Sequence, residues 1–340
     1  MEPYERVMRV LDGEKPDICP VLPVVREWCS KQAGISFVED FESPAKHVEA
    51  QIHCYERFAY DVIWGECYGC HSESEAMGSK LKYGEGMLPS VTEPVVKDYD
   101  IDLAKLKLFD PYQNTRLSSL LESIRILKKK YANKVPVVGY VQGPFRHASM
   151  LRGPENIMRD MFKNKESLRK LCDLSFYSLV VYAVAVVSAG ADIIFLSDPT
   201  SSGDAISNKM WKEWGLHYTR ELIKIIKRSG VKTILHICGD TTDRLESLAD
   251  TEVDCLSLDM AVDFSKAREI LGPEYCLMGN VDTTLLALGK SEKVAEASRR
   301  VIEAAGQDGH LLLSGGCLLT DMCPVDNIEA MIRVGHEYKY

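Results

Sequence analysis

The chain has no surplus of basic residues: 41 Lys and Arg stand against 50 Asp and Glu, a net charge of −9. A nucleic-acid-binding surface needs a basic patch or stripe, so the balance argues against that class, although one basic pocket can sit in an acidic protein. The opening "MEPYERVMRVLDGEKPD" lacks a basic segment followed by an apolar one, and reads instead as an amphipathic helix ending at Gly13. No secretory leader is expected from it. An unbroken membrane-spanning run is missing as well. The longest apolar stretch, "SLVVYAVAVVSAGADIIFL", is interrupted by Gly190 and Asp192 and changes period along its length. It reads as a buried helix feeding a buried strand, with no membrane partner expected. There is no Pro/Ser linker, no low-complexity segment and no solenoid-type repeat, which leaves one domain over residues 1–340 as the expected organisation. The eleven cysteines are an odd number in a large chain without a secretion signal. They are expected to be reduced thiols in a cytoplasmic protein, some of them free to act as metal ligands.

What the chain does have is a strand-then-helix rhythm. Short apolar runs at 19–25, 60–65, 135–141, 191–196, 232–237, 253–258, 275–280 and 309–315 read as strands buried on both faces, and helical patterns lie between them. Several helices open on Ser, Asp or Asn and close near Gly230, Gly272 or Gly306. Eight strands alternating with helices predict an α/β fold, a closed (β/α)8 (TIM) barrel preceded by a short helical segment. An open doubly wound sheet is the alternative, but no Gly-rich phosphate loop follows the first strand. Residues 66 to 110 form an excursion that includes "SKLKYGEGMLPSVTEPVV", a candidate hairpin.

Gln142, Asp198, His236, Cys238, Asp259, Asn280, Asp282 and Cys317 all fall at or just past the C-terminal end of a predicted strand. In a barrel those ends share one face, and that face carries chemistry. "LHICGD" puts His236 and Cys238 two residues apart at the end of a strand, where side chains two apart share a side. Cys317 follows the last strand. Two thiolates and an imidazole make a tetrahedral metal site with one open position, the catalytic zinc pattern. The plainer reading makes Cys238 and Cys317 small apolar fillers and His236 a structural hydrogen bonder.

Three further stretches carry polar groups. "CYGCH", Cys67 to His71, matches the spacing for covalent haem attachment, but ordinary loop cysteines are the default reading. In "VQGPFRHASMLRG", Arg146, His147 and Arg152 lie beyond a strand. Arg146 is the guanidinium favoured to hold a substrate carboxylate, sulfonate or phosphate, against a surface arginine in a first helical turn. In "LSDPTSSGDAIS", a buried strand ends at Asp198, and Ser201, Ser202 or Asp204 can cap the next helix.

Taken together, "RVMRVLDGEKPD", "GYVQGPF", "SDPTSSGDAIS", "LHICGD", "MGNVDTTLLALG" and "PVDNIEAMI" make the chain resemble the uroporphyrinogen decarboxylase superfamily over nearly its whole length. Within it, the chain looks like the cobalamin-dependent methyltransferases, such as methylcobalamin:coenzyme M methyltransferases. The zinc motif of that branch, His-x-Cys with a distant Cys, falls on His236, Cys238 and Cys317, and the decarboxylases do not use it. The decarboxylases' arginine-rich segment is altered here. "REWCSKQAGIS" keeps Arg26 and the "QAG", but Ile35 stands where the second arginine belongs. The resemblance implies a (β/α)8 barrel. It also implies a zinc-activated thiol, and a methyl group moved between that thiol or a methoxylated compound and a corrinoid (cobalamin) on a partner corrinoid protein. Asp259 is then expected as the resting fourth ligand or as the acceptor that orients His236. Arg146 is expected to position the substrate, with Asn280, Gln142 and Asp198 lining the funnel. The competing expectations are a metal-independent decarboxylase and a non-catalytic binding relative.

Overall fold

The computed structural model describes residues 1–65, 71–84 and 87–340, with only the backbone of Met87 and Leu88. Seven strands form one parallel sheet in the order β1 (Ile63–Trp64), β4 (Val137–Gln142), β5 (Ile193–Ser197), β6 (Lys232–Ile237), β7 (Cys255–Leu258), β8 (Leu277–Val281) and β9 (Leu311–Gly315). Apart from Lys232 at the start of β6 and Asn280 in β8, every residue of these strands is buried. Continuous apolar runs are what a sheet covered on both faces requires.

The architecture is barrel-like, but the first predicted strand departs from expectation. Residues 19–25 form no regular strand. The segment still lies between the two ends of the sheet: Leu22 N–H donates to Leu313 O at 2.8 Å, Leu313 N–H donates to Pro20 O at 2.9 Å, and Asp61 N–H donates to Val21 O at 2.9 Å. Pro20 and Pro23 each lack the N–H that a two-sided ladder needs, so only isolated bonds form. A charge cluster at the base holds this segment. Asp61 accepts from Arg6 Nη1 at 2.6 Å, from Val21 N–H at 2.8 Å and from His336 Nε2 at 2.8 Å.

The predicted hairpin is present, with β2 (Lys80–Gly84) and β3 (Met87–Glu93) antiparallel and bulged. The apolar stretch ending at Ala189 is one helix, Lys165–Ala189. Among the described residues it alone is long and apolar enough to cross a membrane, and half of its most apolar window is buried inside the protein. Between β5 and β6 the helical pattern is divided into Asn208–Trp214 and Leu216–Lys227. Gly215 sits at the break, where a Cβ would lie 2.6 Å from Trp211 Cδ1.

Register places the polar groups. Gln142 pairs with Ser197, Ser197 with His236, and His236 with Ser257. Four neighbouring strands therefore put four polar residues at one height, just below their C-terminal ends.

Candidate metal centre and cavity

His236 ends the apolar part of β6, and Gly239, at φ +78°, turns the chain directly after Cys238. His236 Nδ1 lies 3.1 Å from both the carbonyl and the hydroxyl oxygen of Ser257. A carbonyl only accepts, so Nδ1 carries the proton and the Nε2 lone pair points the other way. Nε2 is 3.2 Å from Cys238 Sγ, and Cys238 Sγ is 3.7 Å from Cys317 Sγ. The three ligand atoms lie within 4.8 Å of one another. Phe195 stacks on the imidazole, with centroids 5.9 Å apart. A borderline-soft donor set with its histidine tautomer already fixed can hold a metal ion. The Cys238 thiol pKa is lowered, because the Cys317 S–H bonds to its sulfur and the Arg146 charge assists, against burial and Asp259. The same hydrogen bond, followed by burial, raises the Cys317 thiol.

Cys238 and Cys317 open onto a cavity of about 730 Å³. Arg26, Arg146 and His71 bring polar groups to its wall, and Ile35, Phe37, Leu318 and Met322 make an apolar side. Arg146, on the helix Pro144–Arg152, donates to Tyr140 Oη at 3.0 Å and to Ser197 Oγ at 3.3 Å, and its Nη2 lies 3.5 Å from His71 Nε2. Burial, then the Arg146 charge, pushes the His71 imidazole down to about 3, so it stays neutral. Cys67 and Cys70 of the "CYGCH" stretch lie outside the described residues; His71 is in the cavity wall.

Other residues singled out in the sequence do not line this cavity. Gln142 Nε2 donates to Glu73 Oε2 at 2.8 Å and its backbone N–H donates to Glu73 Oε1 at 2.9 Å, so its amide is engaged with a buried carboxylate. Burial raises the Glu73 pKa. Asn280 Nδ2 donates to the carbonyls of Asp259 at 3.1 Å and Val262 at 2.7 Å, bracing the turn after β7. Asp259 Oδ1 accepts the Ala261 N–H at 3.0 Å, and the partner of His236 Nδ1 is Ser257. Asp282 caps its helix through the N–H of Thr284 at 2.7 Å. The helix after "SDPTSSGDAIS" is capped by Ser207, which accepts the Met210 N–H at 3.3 Å, and not by Ser201, Ser202 or Asp204.

Asp198 is buried against the N-terminus of the Arg146 helix, where a Cβ on Gly143 would lie 2.6 Å from Asp198 Cγ. Burial pushes its carboxyl up to about 6, against the pull of Ser201, the Arg146 charge and the N–H groups of Arg146 and Phe145. Neither oxygen has a donor in full hydrogen-bonding geometry.

Ser257 and Glu73 were not anticipated. Ser257 had a signal, a lone hydroxyl in the apolar run "CLSL". Glu73, in "HSESEA", had none.

Three comparisons bear on this geometry. The uroporphyrinogen decarboxylase (URO-D) family profile matches residues 2–338. The methylcobamide:CoM methyltransferase MtbA of Methanosarcina acetivorans is 32% identical over 99% of this chain and 98% of its own. A uroporphyrinogen decarboxylase of Pectobacterium atrosepticum is 27% identical over 98% of each chain. Among solved structures, a methyltransferase from Methanosarcina mazei superposes with a TM-score of 0.90 at 26% identity, over 99% of both chains.

Proposed function

The chain belongs to the uroporphyrinogen decarboxylase family, and on that premise we propose that it is a corrinoid-dependent methyltransferase. It moves a methyl group between a corrinoid, presented by a partner corrinoid protein, and a small substrate such as a thiol. The observation that carries this reading is the His236–Cys238–Cys317 group opening onto the cavity. His236, Cys238 and Cys317 would hold a zinc ion, which would supply Lewis acidity to lower the pKa of a bound thiol or polarise a methyl donor.

The protein's own groups do the rest. Ser257 holds the His236 ring with Nε2 toward the thiols. Arg146, fixed by Tyr140 and Ser197, faces the anionic end of the substrate. The apolar side of the cavity keeps water from the reacting sulfur. Asp259, whose charge is felt at Cys238, is the carboxylate proposed to fill the open metal position before substrate arrives. In the thiol direction the substrate sulfur provides the electron pair of the new S–CH3 bond. The pair from the broken Co–CH3 bond stays on cobalt, and the thiol proton is released.

A tetrapyrrole decarboxylase is the second reading, favoured by the Pectobacterium relative. Against it, Ile35 stands in the cavity wall where the resemblance calls for an arginine.

The test measures bound metal in the purified protein and in a Cys238→Ser, Cys317→Ser double variant, then follows methylcobalamin absorbance with a panel of thiols. About one zinc per chain, lost in the variant together with thiol-dependent loss of the Co–CH3 band, is the expected result. Uroporphyrinogen decarboxylation by metal-free protein would overturn the reading.

A further inference from the structure

The loop after β5 takes no part in the reaction proposed above, yet it is pressed against the loop that carries Cys238. Two glycines make the apposition possible. A Cβ on Gly203 would lie 2.2 Å from Asp240 O, and a Cβ on Gly239 would lie 2.0 Å from Asp204 Oδ2. Asp204 Oδ2 also accepts the Asp240 N–H at 3.4 Å, and the Ser202 hydroxyl accepts the Asp204 N–H at 3.2 Å.

Arg244 ties the same two loops from the protein interior. It is wholly buried, and its Nη1 donates to Ser201 O at 2.6 Å while Nη2 donates to Ile206 O at 2.8 Å. Asp243 Oδ1 accepts from its Nε at 2.8 Å. At the strand end, Asp198 N–H donates to His236 O at 2.9 Å. Cys238 thus lies between two anchored points, the β5–β6 ladder before it and the Gly239–Asp240 contact after it.

We infer that Asp204 and Arg244 are positioning residues, a latch across the β5 and β6 loops that holds Cys238 Sγ beside Cys317 Sγ. Its consequence for metal affinity rests on the metal reading given above. Its consequence for the thiol pair does not. Groups that hydrogen-bond a metal ligand directly are worth about 10- to 100-fold in affinity, and Asp204 and Arg244 act one contact further out, so a smaller loss is expected.

The experiment uses the full chain with Asp204→Ala, Gly203→Ala and Arg244→Met. Zinc affinity is measured by competition with a chromophoric chelator. Separately, metal-stripped protein is oxidised with diamide, which takes the two thiol hydrogens and is reduced to the hydrazine as the S–S bond forms. The Cys238–Cys317 linked peptide is followed by mass spectrometry. We expect zinc binding weakened several-fold, up to about 10-fold, and cross-linking slowed several-fold, in variants whose circular dichroism is unchanged. Asp204 and Gly203 are exposed, so those two variants carry the test if Arg244→Met does not fold. Parental zinc affinity and parental cross-linking in folded variants would overturn the latch. Slower cross-linking in the variants, with no zinc bound even by the parent, would support the latch and overturn the metal reading.

Discussion

Two buried aspartates sit at opposite ends of the strands of the parallel sheet. Asp61, just before β1, is 0% exposed and takes three donors, from Arg6, Val21 and His336. Asp198, just after β5, is 1% exposed and has no donor in full bonding geometry. The groups around each follow suit. At the base, Asp17 is held below the ordinary carboxylate range: burial pushes it up, but hydrogen bonds from Arg6 and the amino terminus, with the Arg6 charge, outweigh that. Apart from the thiol pair, where the Cys317 hydrogen bond lowers the Cys238 thiol, burial dominates at the cavity end and drives groups toward their neutral forms. Asp198 and Glu73 are raised, while His71 and His147 are lowered. The base uses buried charge to fasten the Pro20–Val25 segment between β9 and β1. The cavity end leaves polar groups incompletely satisfied, which a folded protein tolerates where it works on a ligand.

Substitution at Asp61 should produce the largest effect. Asp61→Asn removes the buried carboxylate that accepts from Arg6, Val21 and His336, leaving Arg6 only the partly exposed Asp17, and should lower unfolding free energy by about 3 kcal/mol in urea titrations. A loss under about 1 kcal/mol would mean the base cluster behaves like a surface ion pair, and the contrast would collapse.

The second prediction concerns pH. His147 is fully buried, its Nδ1 lies 3.0 Å from Ser175 Oγ, and burial lowers it to about 4 from 6.5. Between those values the unfolded chain binds a proton that the folded chain refuses. Its stabilising contribution is complete above about pH 6.5 and is lost as pH falls toward 4, a swing of about 3 kcal/mol. The stability of His147→Gln minus that of the parent should therefore rise by roughly that amount on acidification from pH 7 to pH 4. A pH-independent difference would show that His147 titrates normally.

Asp198→Asn should have the smallest effect on stability, within about 1 kcal/mol of the parent at pH 7. Removing a poorly solvated charge offsets the loss of a favourable anion at the helix N-terminus. Destabilisation on the Asp61 scale would show that Asp198 is fastened as firmly as the base.

The alternation of strand and helix, the hairpin at 80–93, the buried helix Lys165–Ala189 and the pair His236 and Cys238 were all legible in the linear sequence. Each is written in local period, residue type or position at a strand end, which neighbours within a few residues fix; Cys317, 79 residues beyond Cys238, was legible only as a strand-end cysteine and through the family resemblance. The chain also carried the two prolines that keep residues 19–25 from becoming a regular strand, although their apolar run read as one. Tertiary structure alone decided that Ser257 stands opposite His236, that Gln142 turns its amide to Glu73, and that Asp198 faces a helix N-terminus instead of the cavity. Those pairings depend on register between strands far apart in the chain. A shift of one residue in β7 would exchange Ser257 for a leucine, and nothing local to "LHICGD" records which one it will meet.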